Sequence, residues 1–363
     1  MKGLKFSKLT IKTLLLVVTM LAAIAMLISA WGGLVNPAKS RLLPLATLSM
    51  PIVIMVNVVV SLVWLCFLKW KYALIPIVAI VVSWSAVSTV CPVNFFAKNV
   101  DADCAFKVLT FNVANFDYIN QDHPSKSMRY ILDQDADFVL MQEGSQERDY
   151  LEVSNVISMR DEIIEKYPYH SDGNRDLVIM SKYPYQVVPD SVFGELDGVC
   201  VKAFDLQYPG GLQLRILNLH LRTFGMGSDD KKLYDRITKL DVDVKERREL
   251  SQIIDKLSRA FVIHAKEAAI VRSIIDKSPS NLIVCGDFND TPSSFCYRTI
   301  RGGDLKDTFQ DCGTGLTYTF YANHIYFKID HILYRGNLEA VEWRRDKAGD
   351  SDHYPQVATF VWK

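Results

Sequence analysis

The hydrophobic pattern changes character once along the chain. Residues 13–35, 46–68 and 73–91 are long apolar stretches without a charged side chain. Each has the length a helix needs to cross a bilayer, ~19–23 residues at ~1.5 Å per residue. Pro51, Asn57 and Pro76 are tolerable within spans, and Trp31, Trp64, Trp70 and Tyr72 fall near the expected interfaces. A cleaved signal peptide is the alternative for the first stretch, given its basic start and Ile28-Ser29-Ala30. Its apolar run exceeds the ~7–15 residues of a signal core, and two further stretches follow.

From residue 105 onward apolar residues come in short runs closed by polar or turn residues. The runs at 106–113, 137–144, 176–181, 317–321, 329–334 and 356–362 read as strands. Those at 199–206 and 212–220 read as a strand pair joined across Tyr208-Pro209-Gly210-Gly211. Helical patterning is expected over 127–134 and over 147–166, the latter stopped by Tyr167-Pro168. Residues 229–277 hold neither Gly nor Pro. Their polar half, 229–259, reads as a solvated helix or a substrate-contacting lid, and 260–277 as an amphipathic helix. The expected organisation is a membrane anchor over 1–100 and one α/β domain over 101–363.

Charge sharpens this division. The chain has 41 basic and 41 acidic residues, yet residues 1–100 contain no Asp or Glu. Nine of the basic residues lie there, which leaves a formal −9 on the remainder. An acidic domain repels a polyanion in general, so nucleic acid is a possible but not a favoured partner. No partner protein is indicated. Lys2, Lys5, Lys8 and Lys12 precede the first stretch, and Lys69 and Lys71 separate the second from the third; the intervening loop has only Lys39 and Arg41. The positive-inside bias places the N-terminus in the cytoplasm and, after three crossings, the α/β domain outside. In a Gram-negative bacterium that is the periplasm. The seven Cys show no metal-ligand spacing, and Cys285 reads as a core thiol.

The stretch Leu282-Ile283-Val284-Cys285-Gly286-Asp287-Phe288-Asn289-Asp290 carries the clearest chemistry. A buried strand ends abruptly and delivers Asp287 and Asn289 to a sheet rim, with Phe288 turned into the core. Other strand ends also carry polar residues: Asn112, Glu143, His220 and Asp330, while Asp352 and His353 sit in a turn before Pro355. Glu143, with Asn112 and Asp352, offers hard oxygen ligands for Mg²⁺ or Mn²⁺. His353 with Asp330 offers a base held by a carboxylate, and His220 a donor to phosphate. Phosphodiester hydrolysis needs these parts: an aligned water, a neutralised phosphoryl group and a stabilised leaving alkoxide.

Thr110-Phe111-Asn112, Met141-Gln142-Glu143, Asn218-Leu219-His220-Leu221, Gly286-Asp287-Phe288-Asn289, Ile329-Asp330-His331-Ile332 and Ser351-Asp352-His353-Tyr354-Pro355 occur in one order. In them the chain resembles the endonuclease/exonuclease/phosphatase superfamily, which includes deoxyribonucleases, neutral sphingomyelinases and inositol polyphosphate phosphatases. The resemblance implies a two-sheet β-sandwich flanked by helices, preceded here by three transmembrane helices. It implies Glu143 as principal metal ligand with Asn112 beside it, and Asp352 in support. Asp287 would orient the nucleophilic water, Asn289 would contact phosphate, and His353, oriented by Asp330, would be the base or a phosphate contact. His220 resembles the second histidine of the deoxyribonuclease and sphingomyelinase branches, whose usual glutamate partner has no identifiable counterpart here. Arg175, in the segment 173–184, is a candidate phosphate contact or a surface ion pair.

His331 points away from Asp330's face and reads as core. His123, His170 and His264 lack motif context and read as surface or interface residues. The expected function is a membrane-tethered, metal-dependent phosphodiester hydrolase acting on a lipid, inositol-type or other small phosphodiester. An extracytoplasmic nuclease and a non-catalytic binding module on the same fold are the alternatives. A transporter is disfavoured, because the spans hold no charge.

Overall fold

The computed structural model describes residues 2–95, 105–117, 123–144, 149–171, 176–194, 196–208, 212–224, 244–322, 325–349 and 351–363. Five helices come first: α1 (Lys2–Gly32), α2 (Leu43–Leu48), α3 (Met50–Cys66), α4 (Trp70–Val82) and α5 (Trp84–Val90). Of these, α1 alone is long and apolar enough to cross a membrane, through Thr10–Gly32. The second expected span is α3, 17 residues, split from α2 at Ser49 where Pro51 begins a new helix. The third is broken: α4 and α5 bend by 76° about Ser83. The bend lays α5 along the α/β domain, where Ser88 Oγ accepts from Gln310 Nε2 at 2.8 Å. Two buried polar side chains in the bundle pair between helices, which suits an apolar medium. Asn57 Nδ2 donates to the Ala22 carbonyl at 3.0 Å, and Trp64 Nε1 to Thr19 Oγ1 at 2.8 Å.

The rest is a four-layer sandwich, and the expected two-sheet architecture is present. The first sheet has the order β13 (Leu338–Arg345), β14 (Gln356–Trp362), β1 (Ala105–Asn112), β2 (Phe138–Gln142), β4 (Val178–Ser181), β3 (Tyr169–His170). The second has the order β5 (Tyr185–Val187), β6 (Cys200–Tyr208), β7 (Leu212–His220), β8 (Leu282–Asp287), β12 (Asp330–Arg335), β9 (Lys306–Asp307). A hairpin of β10 (Phe320–Ala322) and β11 (Ile325–Phe327) stands beside them. Central strands are buried on both faces, so they read as continuous apolar runs. In β8, Ile283 and Cys285 face the other sheet, together with Phe106, Val108, Leu140 and Ile216. Leu282 and Val284 face the long helix Val244–Asp276, meeting Ala268, Val271 and Ile275. The Cys285 thiol is fully buried, and burial pushes its pKa up, as a core role requires.

The expected helix over 147–166 is shorter. Residues 145–148 lie outside the described residues, Tyr150–Glu152 and Ile157–Met159 are single 3-10 turns, and only Arg160–Lys166 is α-helical. Polar groups compete for the backbone there. Asp149 accepts from Leu151 N at 3.0 Å, and the Asn155 carbonyl accepts from Ser125 N at 2.8 Å. Of the long polar stretch, 229–243 lies outside the described residues.

One polar link ties the two sheets together at the end where the candidate residues gather. Gln142 Nε2 donates to Asn218 Oδ1 at 2.6 Å, and Asn218 Nδ2 donates to the Met141 carbonyl at 3.0 Å. Both side chains are fully buried. Asn218→Leu would remove the shortest acceptor of Gln142 Nε2, which keeps Thr110 Oγ1 at 3.1 Å, and would take a donor from the Met141 carbonyl, at a cost of about 1–3 kcal/mol. We expect the thermal midpoint of the detergent-purified chain to fall by roughly 5 °C or more; an unchanged midpoint would show that the link is dispensable.

Candidate active site

Strand pairing brings the polar strand ends to one edge. In the second sheet His220 pairs with Asp287 and Asp287 with Asp330, so three site residues form one row across β7, β8 and β12. Gly286 permits the close approach of β8 to β7. A Cβ there would lie 2.1 Å from the Leu219 carbonyl oxygen, and its φ is +130°. In the first sheet Asn112 pairs with Gln142, which puts Glu143 just beyond β2. The two rows meet through Asn112, whose Nδ2 donates to Glu143 Oε1 at 3.2 Å and to Asp287 Oδ2 at 3.1 Å. The turn 351–353 closes the edge: Ser351 Oγ donates to the Asn112 carbonyl at 2.7 Å and accepts from His353 N at 3.0 Å.

Two histidines face Asp287, each held from behind by its own carboxylate. His353 Nδ1 lies 3.0 Å from Asp330 Oδ2, and its Nε2 lies 3.6 Å from Asp287 Oδ2. His220 Nδ1 lies 2.7 Å from Asp176 Oδ2, and its Nε2 lies 4.0 Å from Asp287 Oδ2 and 3.8 Å from Glu143 Oε1. That Nε2 is buried and makes no hydrogen bond among the described residues. It points into the space between Glu143 and Asp287, where an incoming oxygen would complete it.

Asp176 is the partner for His220 that sequence reasoning missed. The antiparallel register of β2 and β4 sets Met141 against Val178, and two residues further on Gly144 N donates to the Asp176 carbonyl at 3.1 Å. Its position is a consequence of strand register, and no motif announces it.

Electrostatics follow from this packing. Burial works against a charged His353, but Asp330 and Asp287 overcome it and hold the ring at about 10. Burial likewise opposes charge on His220, and the Asp176 hydrogen bond with the charges of Asp287 and Glu143 raises it to about 9. Both rings are therefore imidazolium at neutral pH and act as donors. Asp287 is pushed above the usual carboxylate range, first by burial and then by Asp330, with the histidines pulling the other way. A raised carboxylate is a better proton acceptor than a free one.

The remaining expected residues are placed as follows. Asn289 adopts a left-handed φ of +49°, its N–H donates to Asp287 Oδ1 at 2.8 Å, and its Nδ2 donates to the Leu221 carbonyl at 2.8 Å. It thus shapes the turn that presents Asp287. Asp352 is half-buried; its carbonyl accepts from Tyr321 N at 2.8 Å, and its charge adds to the field that raises His353. Arg175 lies outside the described residues. His331 is buried as expected, with Nε2 donating to the Asp290 carbonyl at 3.0 Å. His264 departs from the expected surface position. It is fully buried, with Nδ1 3.3 Å from Asp290 Oδ2 and Nε2 2.6 Å from the Arg222 carbonyl.

The donor set fits a divalent cation. Glu143, Asp176, Asp287, Asp330 and Asp352 crowd one edge against two imidazolium rings, which leaves net negative charge to neutralise. Glu143 is the most accessible of the hard oxygens at the centre, 28% exposed, and sits at a left-handed φ of +51° that turns it out of the strand. Single ligand atoms of Asp287, Asp330 and His353 also lie within 4.8 Å of one another. Each of the two places has a histidine beside it, His353 at Asp287 and His220 at Glu143.

Sequence comparison agrees with this architecture. The model described as the Endonuclease/Exonuclease/phosphatase family matches residues 109–353, a span that begins in β1 and ends at His353. The chain belongs to this family, whose members are generally phosphoester hydrolases that use divalent metals. A second family model, described as a domain of unknown function, matches residues 12–90. Among solved structures, humanized D. rerio TDP2 with 14 mutations is 15% identical, with 71% of this chain and 99% of that one covered and a TM-score of 0.45. A family protein from Bacteroides vulgatus is 19% identical, with 71% and 99% covered and a TM-score of 0.41. The human Nocturnin catalytic domain with bound sulfate is 15% identical, with 75% and 99% covered and a TM-score of 0.43. No curated protein matches the chain.

The His220–Asp176 pairing carries a measurable consequence. A raised imidazole pKa means that the protonated ring stabilises the fold fully below ~6.5, and that this contribution fades as pH rises through about 9. Asp176→Asn should move the His220 titration downward, read by NMR of its ring protons in EDTA-treated protein. A titration unmoved by the substitution would mean that Asp176 does not set the charge of His220.

Proposed function

We propose that the chain is a membrane-anchored, divalent-metal-dependent phosphodiester hydrolase. The observation that carries this reading is the pair of carboxylate-held histidines converging on Asp287 beside Glu143. Phosphodiester hydrolysis generates charge on the phosphoryl oxygens and on the departing alkoxide. Two imidazolium Nε2 donors aimed at one spot stabilise that charge without reorganisation. Asp287, fixed by Asn112 Nδ2 and Asn289 N, aligns a water and takes its proton. His220, whose Nε2 has no hydrogen-bond partner among the described residues, donates to the leaving oxygen. Glu143 and Asn112 would hold Mg²⁺ or Mn²⁺, with Asp352 in support; the cation supplies Lewis-acid neutralisation of the phosphoryl group. With His353 protonated, its role is contact with phosphate rather than proton abstraction.

The anchor and its surroundings support a lipid or other small phosphodiester over a nucleic acid. The outward faces of α1, α3 and α4 are large and apolar, as at Leu21, Ile52, Val59 and Val81. An exposed surface of that kind is suited to hydrocarbon. Leu42, Phe95, Leu316 and Tyr326 are exposed as well. At the other end Lys12 lies 4.9 Å over the Tyr72 ring, close to Lys69 and Lys71 in sequence. Under the positive-inside bias that end is cytoplasmic, and the catalytic edge works outside, in a Gram-negative cell on the periplasmic side.

The full-length chain in detergent should cleave bis(p-nitrophenyl) phosphate with Mg²⁺ or Mn²⁺ and lose the activity in EDTA. Glu143→Ala and His353→Ala should each lower kcat/KM by about 10²–10⁴-fold. Equal rates for the wild type and both variants would end the assignment.

A further inference from the structure

The N-terminal helices are joined to the catalytic edge by a built interface. Ser293 Oγ donates to the Thr47 carbonyl at 3.0 Å, and Arg298 Nη2 donates to the Ala30 carbonyl at 2.8 Å. Gly33 packs directly on the Ser293 carbonyl, which a Cβ would meet at 1.9 Å. Arg41 pairs with Asp255, and Gly315 N donates to the Pro92 carbonyl at 2.9 Å. These contacts hold open a cleft of ≈ 310 Å³ between the bundle and the sandwich.

One wall of the cleft is bundle: Leu48, Pro51 and Val90. The other is made of the two segments that carry site residues. Pro292 follows Asn289 by three positions, while Tyr318 and Phe327 lie in the stretch that leads into the strand start at Asp330. The connection to the chemistry is short. Thr319 Oγ1 accepts from Asp330 N at 3.0 Å, and Lys328 Nζ donates to the Asp330 carbonyl at 3.0 Å. The Phe320 ring stacks edgewise on His353 at 5.0 Å. At its mouth Leu316 and Tyr326 are 42% and 53% exposed. The bundle wall continues into the outward apolar face of α3 at Ile52 and Met55. Tyrosines such as Tyr318 and Tyr326 suit a position between hydrocarbon and water.

We infer that this cleft takes the hydrocarbon chain of the substrate, so that the enzyme draws a single-chain segment of a lipid phosphodiester from the membrane that holds its own anchor. The inference rests on the hydrolase reading above. Its size, at the low end of the ~300–1,000 Å³ of ligand pockets, suits one chain and excludes a folded macromolecule. Continuity with the hydrocarbon-facing side of α3 selects a lipid over a soluble phosphodiester. The cleft lies beside the segment that leads into Asp330, to which Thr319 and Lys328 connect it by hydrogen bonds.

The test compares hexadecyl p-nitrophenyl phosphate with methyl p-nitrophenyl phosphate, which share a leaving group and differ in the chain. Leu48→Trp and Thr317→Trp fill the cleft from opposite walls and touch no catalytic group. In the full-length chain each should lower kcat/KM for the hexadecyl ester by about 10-fold or more, since each methylene kept from water is worth roughly fourfold. The methyl ester should be cleaved as by the wild type. An equal loss on both esters, or no loss on either, overturns the inference. If the wild type cleaves neither ester with Mg²⁺ or Mn²⁺, the hydrolase reading fails, and the cleft is then decided without turnover. EDTA-treated protein in vesicles of phosphatidylglycerol bearing a diazirine in one acyl chain should give photoadducts within 47–51 and 316–328, lost in Leu48→Trp. Adducts confined to the outer faces of the helices would refute the cleft as a chain site.

Discussion

The buried amide pair Gln142–Asn218 is the constraint on which the catalytic edge depends. Half of the edge comes from each sheet, and most of the surface between the sheets is apolar. Apolar packing is non-directional, so it presses the sheets together without fixing how they sit. A hydrogen bond of 2.6 Å between two fully buried amides has direction, and breaking it takes the donor from Asn218 Oδ1. Gln142 immediately precedes Glu143, and Asn218 lies two residues before His220. The pair therefore fixes the distance between the candidate metal ligand and the candidate acid. Asn112 repeats the arrangement one layer out, with a single amide reaching a carboxylate from each sheet.

That registration concentrates negative charge, and the charge sets the protonation states. Neither histidine would be cationic at such depth on its own, because burial favours the neutral ring. Each is cationic because a carboxylate stands on either side. His331 shows the opposite case a single residue from Asp330. It is equally buried, but its Nδ1 faces Lys328 Nζ at 3.0 Å, and burial and that cation hold it well below the usual histidine range. One sheet thus presents a charged histidine at its rim and a neutral one in its interior, and the partner decides which is which.

The strand ends were legible in the sequence because their polar residues interrupt apolar runs. Asn112, Glu143, His220, Asp287 and Asp330 each end or begin a run, and the fold brings them to one edge. Asp176 also begins a run, yet nothing local distinguishes it from a loop aspartate; only the β2–β4 register gives it a partner. His264 left a readable trace. With Ala268, Val271 and Ile275 it falls at helical spacing on one face, and the last three pack in the core. The polar side chain hid that face. The strand Leu338–Arg345 was missed because its sequence ends in charges, as suits a half-exposed edge strand.

The bend at Ser83 shows why the change of pattern near residue 100 is not a break in packing. A third straight span would carry α5 away from the sandwich. Bent by 76°, α5 brings Ser88 to Gln310, and Asn94 Nδ2 donates to the Gly313 carbonyl at 2.7 Å. On the other flank Ser293 and Arg298 reach the ends of α1 and α2. Both contacts bracket segments that bear site residues, the first through 313–330 and the second through 287–293. A flexible tether would need neither. The helices form one side of the catalytic unit, so the orientation of the edge relative to them is part of the fold, and whatever phase surrounds the helices lies at a fixed place relative to Asp287.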